Sequence, residues 1–159
     1  MSLAQQAVAE LTSTEDFFTR STRNLQEAHS TFAPVAGMMT AAQQVAHAAH
    51  TVDWFIEGAF GPDGFSMDFA GHATVINGYT SLKAAQEWFT KAMASAKALL
   101  AAKSDAELLV LLPPGPIMGG APRLAIVSAI VDHTAHHRGA LTVYARLNGV
   151  VPPMPYMET

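Results

Sequence analysis

Three histidines crowd the stretch DHTAHHRGA in the last third of the chain. His133 and His137 are four residues apart. On an α-helix that spacing places two side chains on one face, about one turn apart. Two imidazoles so placed can reach one metal ion. His136 points about 100° away from His137, which makes it the poorer partner. A second group, His47 and His50, lies in VAHAAHTVDWF. Alanine and apolar residues surround both, where a solvated face would carry Lys or Glu. An imidazole on such a face needs a polar partner, because an unpaired buried polar group costs on the order of 1–3 kcal/mol. Either histidine could supply the third ligand that His133 and His137 lack.

Three neutral imidazoles leave an ion with an open position. In zinc proteins that pattern is catalytic, whereas structural sites usually take four protein ligands. The ion then acidifies a water or thiol, or polarises a substrate oxygen. Three imidazoles accept Zn, Ni, Fe, Mn or Co, and the general affinity order does not choose among these divalent metals. Such ligands must be deprotonated, so metal affinity is expected to fall as pH drops through about 6.5. Spacing also fits a plainer alternative, since HxxxH pairs are common among histidines that bind nothing. No residue stands out as a catalytic base.

The elements that would carry these residues read as helices. A first helix is expected over residues 13–27, with Thr14 as its N-cap and Glu15 and Asp16 in the first turn. A second should run over 38–59, capped by Thr40 and stopped by Gly61-Pro62. Residues 61–80 lack helical periodicity and read as a long connection. A third helix is expected over 81–103 with Ser81 as cap, then a short helical turn at 104–107. PPGPIMGGAP is a loop, and the last helix should span 123–147, ending at Asn148-Gly149. No alternation argues for a sheet. The class is all-α: one domain over 1–159, a four-helix bundle with a long connection between its second and third helices.

Composition narrows the function. Half of the 159 residues are apolar and only 14% are charged, which suits a chain that hides surface in an oligomer. The net charge is −4, and no cluster of Lys and Arg supplies the cations that phosphate backbones require, so no nucleic-acid partner is expected. The absence of cysteine excludes disulfides and thiolate ligands. No apolar run reaches the roughly 18 residues of a membrane span, and the N-terminus lacks a signal-peptide pattern. A cytoplasmic protein with no membrane partner is the simplest expectation.

Within these segments, HTAHHRGAL resembles the helix-four signature H-x-x-x-H-R-G-Q of the DinB/YfiT-like superfamily. QQVAHAAHTVDWF is similar to that family's second helix, and YARLNGVVPPMPY to its proline-rich close. The matches run in the family's order from Gln43 to Tyr156. Ala140 stands where the signature has Gln, which puts any role of that Gln in doubt here. The resemblance implies a divalent ion held by His47, His133 and His137, with His50 in reserve. It also implies a symmetric homodimer. Characterised relatives imply a thiol-dependent transferase or isomerase using a low-molecular-weight thiol such as mycothiol or bacillithiol. Hydrolysis at the same metal is an alternative, as is a non-catalytic metal-binding stress protein.

Arg138 either pairs with a carboxylate or is solvated. Asp132 points away from the ligands, and Asp53 either orients His50 or is exposed. Trp54, Phe55, Trp88 and Phe89 are expected in the core or an interface. Phe65, Met67 and Phe69 are expected to line a pocket mouth or a dimer contact, and His72 to face solvent.

Overall fold

Two residues in the first turn decide where the chain becomes helical. Ser2 accepts from the Gln5 N–H while the Gln5 side chain accepts from the Ser2 N–H, a closed capping box. From it α1 runs over Leu3–Thr22. In this computed structural model residues 1–157 are described; Glu158 and Thr159, the last positions of the expected domain, lie outside the described residues. The remaining helices are α2 (Ala41–Phe60), α3 (Phe69–Asn77), α4 (Leu82–Ala101), α5 (Asp105–Leu108) and α6 (Ile126–Leu147). Among the described residues the only β pairing is an isolated antiparallel bridge, Leu111 to Pro122, across the Pro/Gly-rich loop. The chain is all-helical, and no described helix is long and apolar enough to cross a membrane.

Two expectations need correcting. The first helix begins ten residues before Ser13 and ends at Thr22. Thr14 is no cap: it is buried mid-helix and its hydroxyl donates to the Glu10 carbonyl. Ala4, Ala7, Leu11, Thr14 and Phe18 recur at helical spacing and bury one face; Thr14 sits inside that stripe. The connection over 61–80 is also not irregular throughout, since α3 lies within it, capped by Asp68 onto the Gly71 N–H. Only Ile76 of α3 is buried, so no apolar stripe announces the helix in the sequence. The other expected caps fall in place, at Thr40 and Ser81, and the short helical turn expected at 104–107 is there, capped by Ser104. A 3-10 turn, Arg123–Ala125, leads into the last helix, and past its end at Leu147 a φ of +73° at Gly149 lets the Val150 N–H return to the Ala145 carbonyl.

Packing of the four long helices sets the site. α2 packs on α4 and α6, and α1 packs on the same two, so α1 stands opposite α2 and α4 opposite α6. Alanine makes the α2–α4 approach close: Ala41, Ala48, Ala49 and Ala59 on α2 and Ala85, Ala92 and Ala96 on α4 are all buried. Small side chains let helix backbones near each other, and the larger Val45, Val52, Phe89 and Met93 fill the gaps between them. The centres of α2 and α6, each carrying histidines, thereby face one another. α3 is tied across the outside of α2. Trp54 Nε1 donates to the Ser66 carbonyl at 2.8 Å and Gln43 Nε2 to the Asn77 carbonyl at 3.1 Å. Gly58 leaves room for the Phe65 ring, which any Cβ there would overlap.

Candidate metal centre

His47 on α2 meets His133 and His137 on α6. Ring centroids are 4.9 Å apart for His47 and His133, 4.8 Å for His47 and His137, and 4.5 Å for His133 and His137. Each of the three offers a nitrogen, and these nitrogens all lie within 4.8 Å of one another. His137 is only 4% exposed, while the other two are half-buried. The structure thus brings together the three residues named from the sequence. His50 lies outside the cluster, and His136 is exposed.

A glutamine that the sequence reading passed over orients the cluster. Gln44, 8% exposed, accepts a hydrogen bond at its Oε1 from His137 Nδ1. Its Nε2 donates to Tyr144 Oη at 3.4 Å, and Tyr144 Oη donates to the Met39 carbonyl at 2.9 Å. The chain has a direction. Tyr144 spends its proton on a carbonyl, so its oxygen accepts from the Gln44 amide, which turns the Gln44 oxygen toward His137. An oxygen there requires the His137 proton on Nδ1 and leaves the Nε2 lone pair free. One available signal was that Gln44 precedes His47 by three residues on a face otherwise of Ala and Val. Losing such an orienting partner typically weakens metal binding roughly 10–100-fold. We expect that loss for Gln44→Leu in a competitive chelator titration, with Gln44→Glu retaining binding. Wild-type affinity in the leucine variant would remove the orienting role.

Burial sets the charge of the cluster. It pushes the His137 pKa down to about 3, helped by the neighbouring His133, His47 and His136 rings. It pushes His133 down to about 4, with His47 and His136 adding to the effect and Asp132 opposing it. His47 is lowered too, by burial and then by His136. All three imidazoles are therefore neutral at pH 7, the form a metal requires. The loss of metal expected near pH 6.5 accordingly moves to lower pH.

The donor set fits a divalent ion. His137 Nε2 and His133 Nε2 lie 3.3 Å apart. Two nitrogens on one tetrahedral ion, with metal–nitrogen bonds of about 2.1 Å, are about 3.4 Å apart. Drawing in the widest pair needs ring movements of under about 1 Å each. Polar demand is unmet as well: Nδ1 of His47 is buried with no hydrogen-bond partner among the described residues. Thr51 Oγ1, at 3.4 Å, is a second neighbour of His133 Nε2.

A cavity of about 480 Å³ opens on the cluster, lined by His47 and His133 together with His50, Thr51, Trp54, Phe55, Phe69, His72 and Ile76. Several expectations resolve there. Phe69 does line a pocket, and Trp54 and Phe55 join it, while Phe89 is core. His72 lines the cavity, its ring 4.7 Å from that of His50, where solvent was expected. Asp53 does not orient His50 through a hydrogen bond; it accepts from Trp88 Nε1 at 2.7 Å. Arg138 has a role outside the two expected, its guanidinium lying 5.7 Å from the ring centres of both Phe17 and Tyr156. Asp132 is exposed.

Comparison with known proteins agrees with this architecture. A search of curated proteins found no match. The crystal structure of a DinB-like protein from Bacillus cereus ATCC 10987 has a similar fold, with a TM-score of 0.69 at 20% sequence identity, covering 95% of this chain and 93% of that one. At that identity the likeness speaks for the fold alone. The family model described as DinB family matches residues 1–159, end to end. The chain belongs to the DinB family.

Proposed function

We propose that this protein is a metal-dependent enzyme built on a four-helix bundle, with one divalent ion held by His47, His133 and His137. The observation that carries the reading is that three neutral imidazoles converge beside an open cavity, His47 and His133 in its wall and the buried His137 against both, and no fourth His, Cys, Asp or Glu joins them among the described residues. A purely structural site would be expected to close with a fourth protein ligand. A bound divalent ion would supply Lewis acidity, lowering the pKa of a thiol or water placed against it. The residues do the rest. His137, locked by Gln44, and His133 aim two lone pairs at one point. Trp54, Phe55 and Phe69 give the space in front of them an apolar lining.

The reaction we favour is transfer to, or isomerisation of, an electrophile by a low-molecular-weight thiol. The chain has no cysteine, so the thiol enters as a cosubstrate. Plasma mass spectrometry of untagged protein is expected to find close to one metal ion per chain, and loaded protein to consume thiol of the mycothiol or bacillithiol kind with an electrophile. Metal absent even after adding zinc, nickel or manganese would overturn the metal centre. Stoichiometric metal with no thiol consumption, but with ester or amide hydrolysis, would replace the transferase by a hydrolase.

A further inference from the structure

Two histidines in the cavity remain unused by the metal centre. His50 comes from α2 and His72 from α3, the two elements that flank the opening, and their rings lie 4.7 Å apart. Neither belongs to the three-histidine cluster. His50 is half-buried, yet neither ring nitrogen has a hydrogen-bond partner among the described residues, although its edge packs on Trp88 at 5.9 Å. His72 Nε2 lies 3.2 Å from Ser66 Oγ, which already accepts from the Asp68 N–H. The roles of Ser66 Oγ and His72 Nε2 depend on the His72 tautomer, and Ser66 Oγ has lone pairs enough to accept from both groups. With Ser66 turning its proton to Nε2, the His72 proton sits on Nδ1, and in that tautomer each of the two rings has an N–H donor to offer beside the cavity it lines.

The rest of the lining says what kind of molecule fits. It contains no Lys, Arg, Asp or Glu. Without the divalent ion, an anion would enter with no cation to meet it, and a cation with no carboxylate, and each would lose hydration uncompensated. Trp54, Phe69 and Ile76 offer an apolar wall instead, on the side where α3 crosses α2. At about 480 Å³ the space is within the range of small-molecule sites. Residues three apart on a helix have Cβ atoms about 5–6 Å apart, so a group held by His50 sits one helical turn from His47.

We propose that His50 and His72 form a subsite that hydrogen-bonds the carbonyl oxygen of an uncharged, ring-sized apolar substrate, whose body lies on Trp54 and Phe69. This deepens the proposed function and rests on that reading for the cavity being a substrate site. Calorimetric titration with 2-acetylnaphthalene, an uncharged aryl ketone, tests it on metal-free and zinc-loaded protein. Saturable binding is expected in both forms. His50→Phe and His72→Phe keep a ring but lose the N–H, and each should weaken binding about tenfold, the worth of one neutral hydrogen bond. His72→Gln, which restores an N–H donor, should recover most of that loss. In metal-free protein 2-naphthoate and 2-naphthylmethylammonium should bind at least tenfold more weakly than the ketone. Absence of saturable ketone binding, indifference to both phenylalanine variants, or equal binding of the naphthoate would overturn the subsite. So would ketone binding that appears only with zinc, because the oxygen would then be on the metal. Ketone binding that obeys the variants in a protein that never takes up metal would keep the subsite and dismiss the metal centre.

Discussion

His137→Ala is expected to strip the protein of metal. The substitution removes the most buried of the three imidazoles, whose Nε2 lies 3.3 Å from that of His133. Two half-buried histidines on different helices then remain, with nothing to hold them in register. The loss in affinity should exceed the roughly 10–100-fold that follows loss of an orienting partner. Thermal unfolding reads the same event through linkage. Metal at 100 times its dissociation constant stabilises the folded chain by about 2.7 kcal/mol. For a chain of this length that raises the melting temperature by about 5–10 °C. Wild type should show the rise, and His137→Ala should show almost none. The alanine also leaves the Gln44 oxygen buried without its donor, costing about 1–3 kcal/mol in the metal-free protein. Its baseline melting point should therefore be lower. The control is His136→Ala: that side chain is exposed and outside the cluster, so metal content and thermal shift should match wild type. Equal metal retention by the His137 and His136 variants would rule out the three-histidine centre.

How much of this was legible in the sequence depends on the range of the signal. The histidine pair on α6 follows from spacing alone, since a helix fixes which residues share a face. The third ligand is different. His47 and His50 both sit mid-helix on α2, and local periodicity cannot say which of them faces α6. Tertiary packing decides that, through the close alanine-mediated approach of α2 and α4. The family resemblance named His47 where spacing could not. Gln44 went unread because its importance comes from Tyr144 and Met39, respectively 100 residues after it and five before it. α3 was missed for a related reason. It buries one residue and is held by a hydrogen bond from Gln43 to its last residue, Asn77, and by one from Trp54 to Ser66 in the turn before it, so it carries no stripe of its own. That miss concealed the cavity, and with it the place of His72. The caps at Thr40 and Ser81 were legible because a cap is a local event, settled within three residues. Ser2 is a cap of the same kind. Thr14, followed by two acidic residues, imitated one more convincingly.

The metal-free protein should lose stability steeply between about pH 6.5 and pH 4, with His137 contributing most. The sign follows from the direction of the shift. Burial holds the folded-state pKa of His137 at about 3, against 6.5 for the ordinary group. Below pH 6.5 the unfolded chain therefore binds a proton that the folded chain refuses. Unfolding takes up protons, so acid favours it. The contribution is fully present above pH 6.5 and drains away as pH falls toward 3. At about 1.4 kcal/mol per pH unit, His137 alone accounts for roughly 2 kcal/mol between pH 6.5 and pH 5. His133 and His47 are shifted in the same direction, but they are half-exposed and add less. Denaturant melts of metal-free wild type and His137→Gln across that interval provide the check, and the glutamine variant should show the shallower slope. Metal binding offers a second readout from the same cause. In the folded chain, burial holds His133 at about 4 and His137 at about 3 and lowers His47 in the same direction, so protons compete with metal only well below pH 6.5. The affinity should therefore persist at pH 5.5 and collapse below it, ahead of or together with acid unfolding. A binding midpoint at pH 6.5, with parallel melts for the two proteins, would mean that the imidazoles titrate as solvated groups and that the buried cluster does not exist in solution.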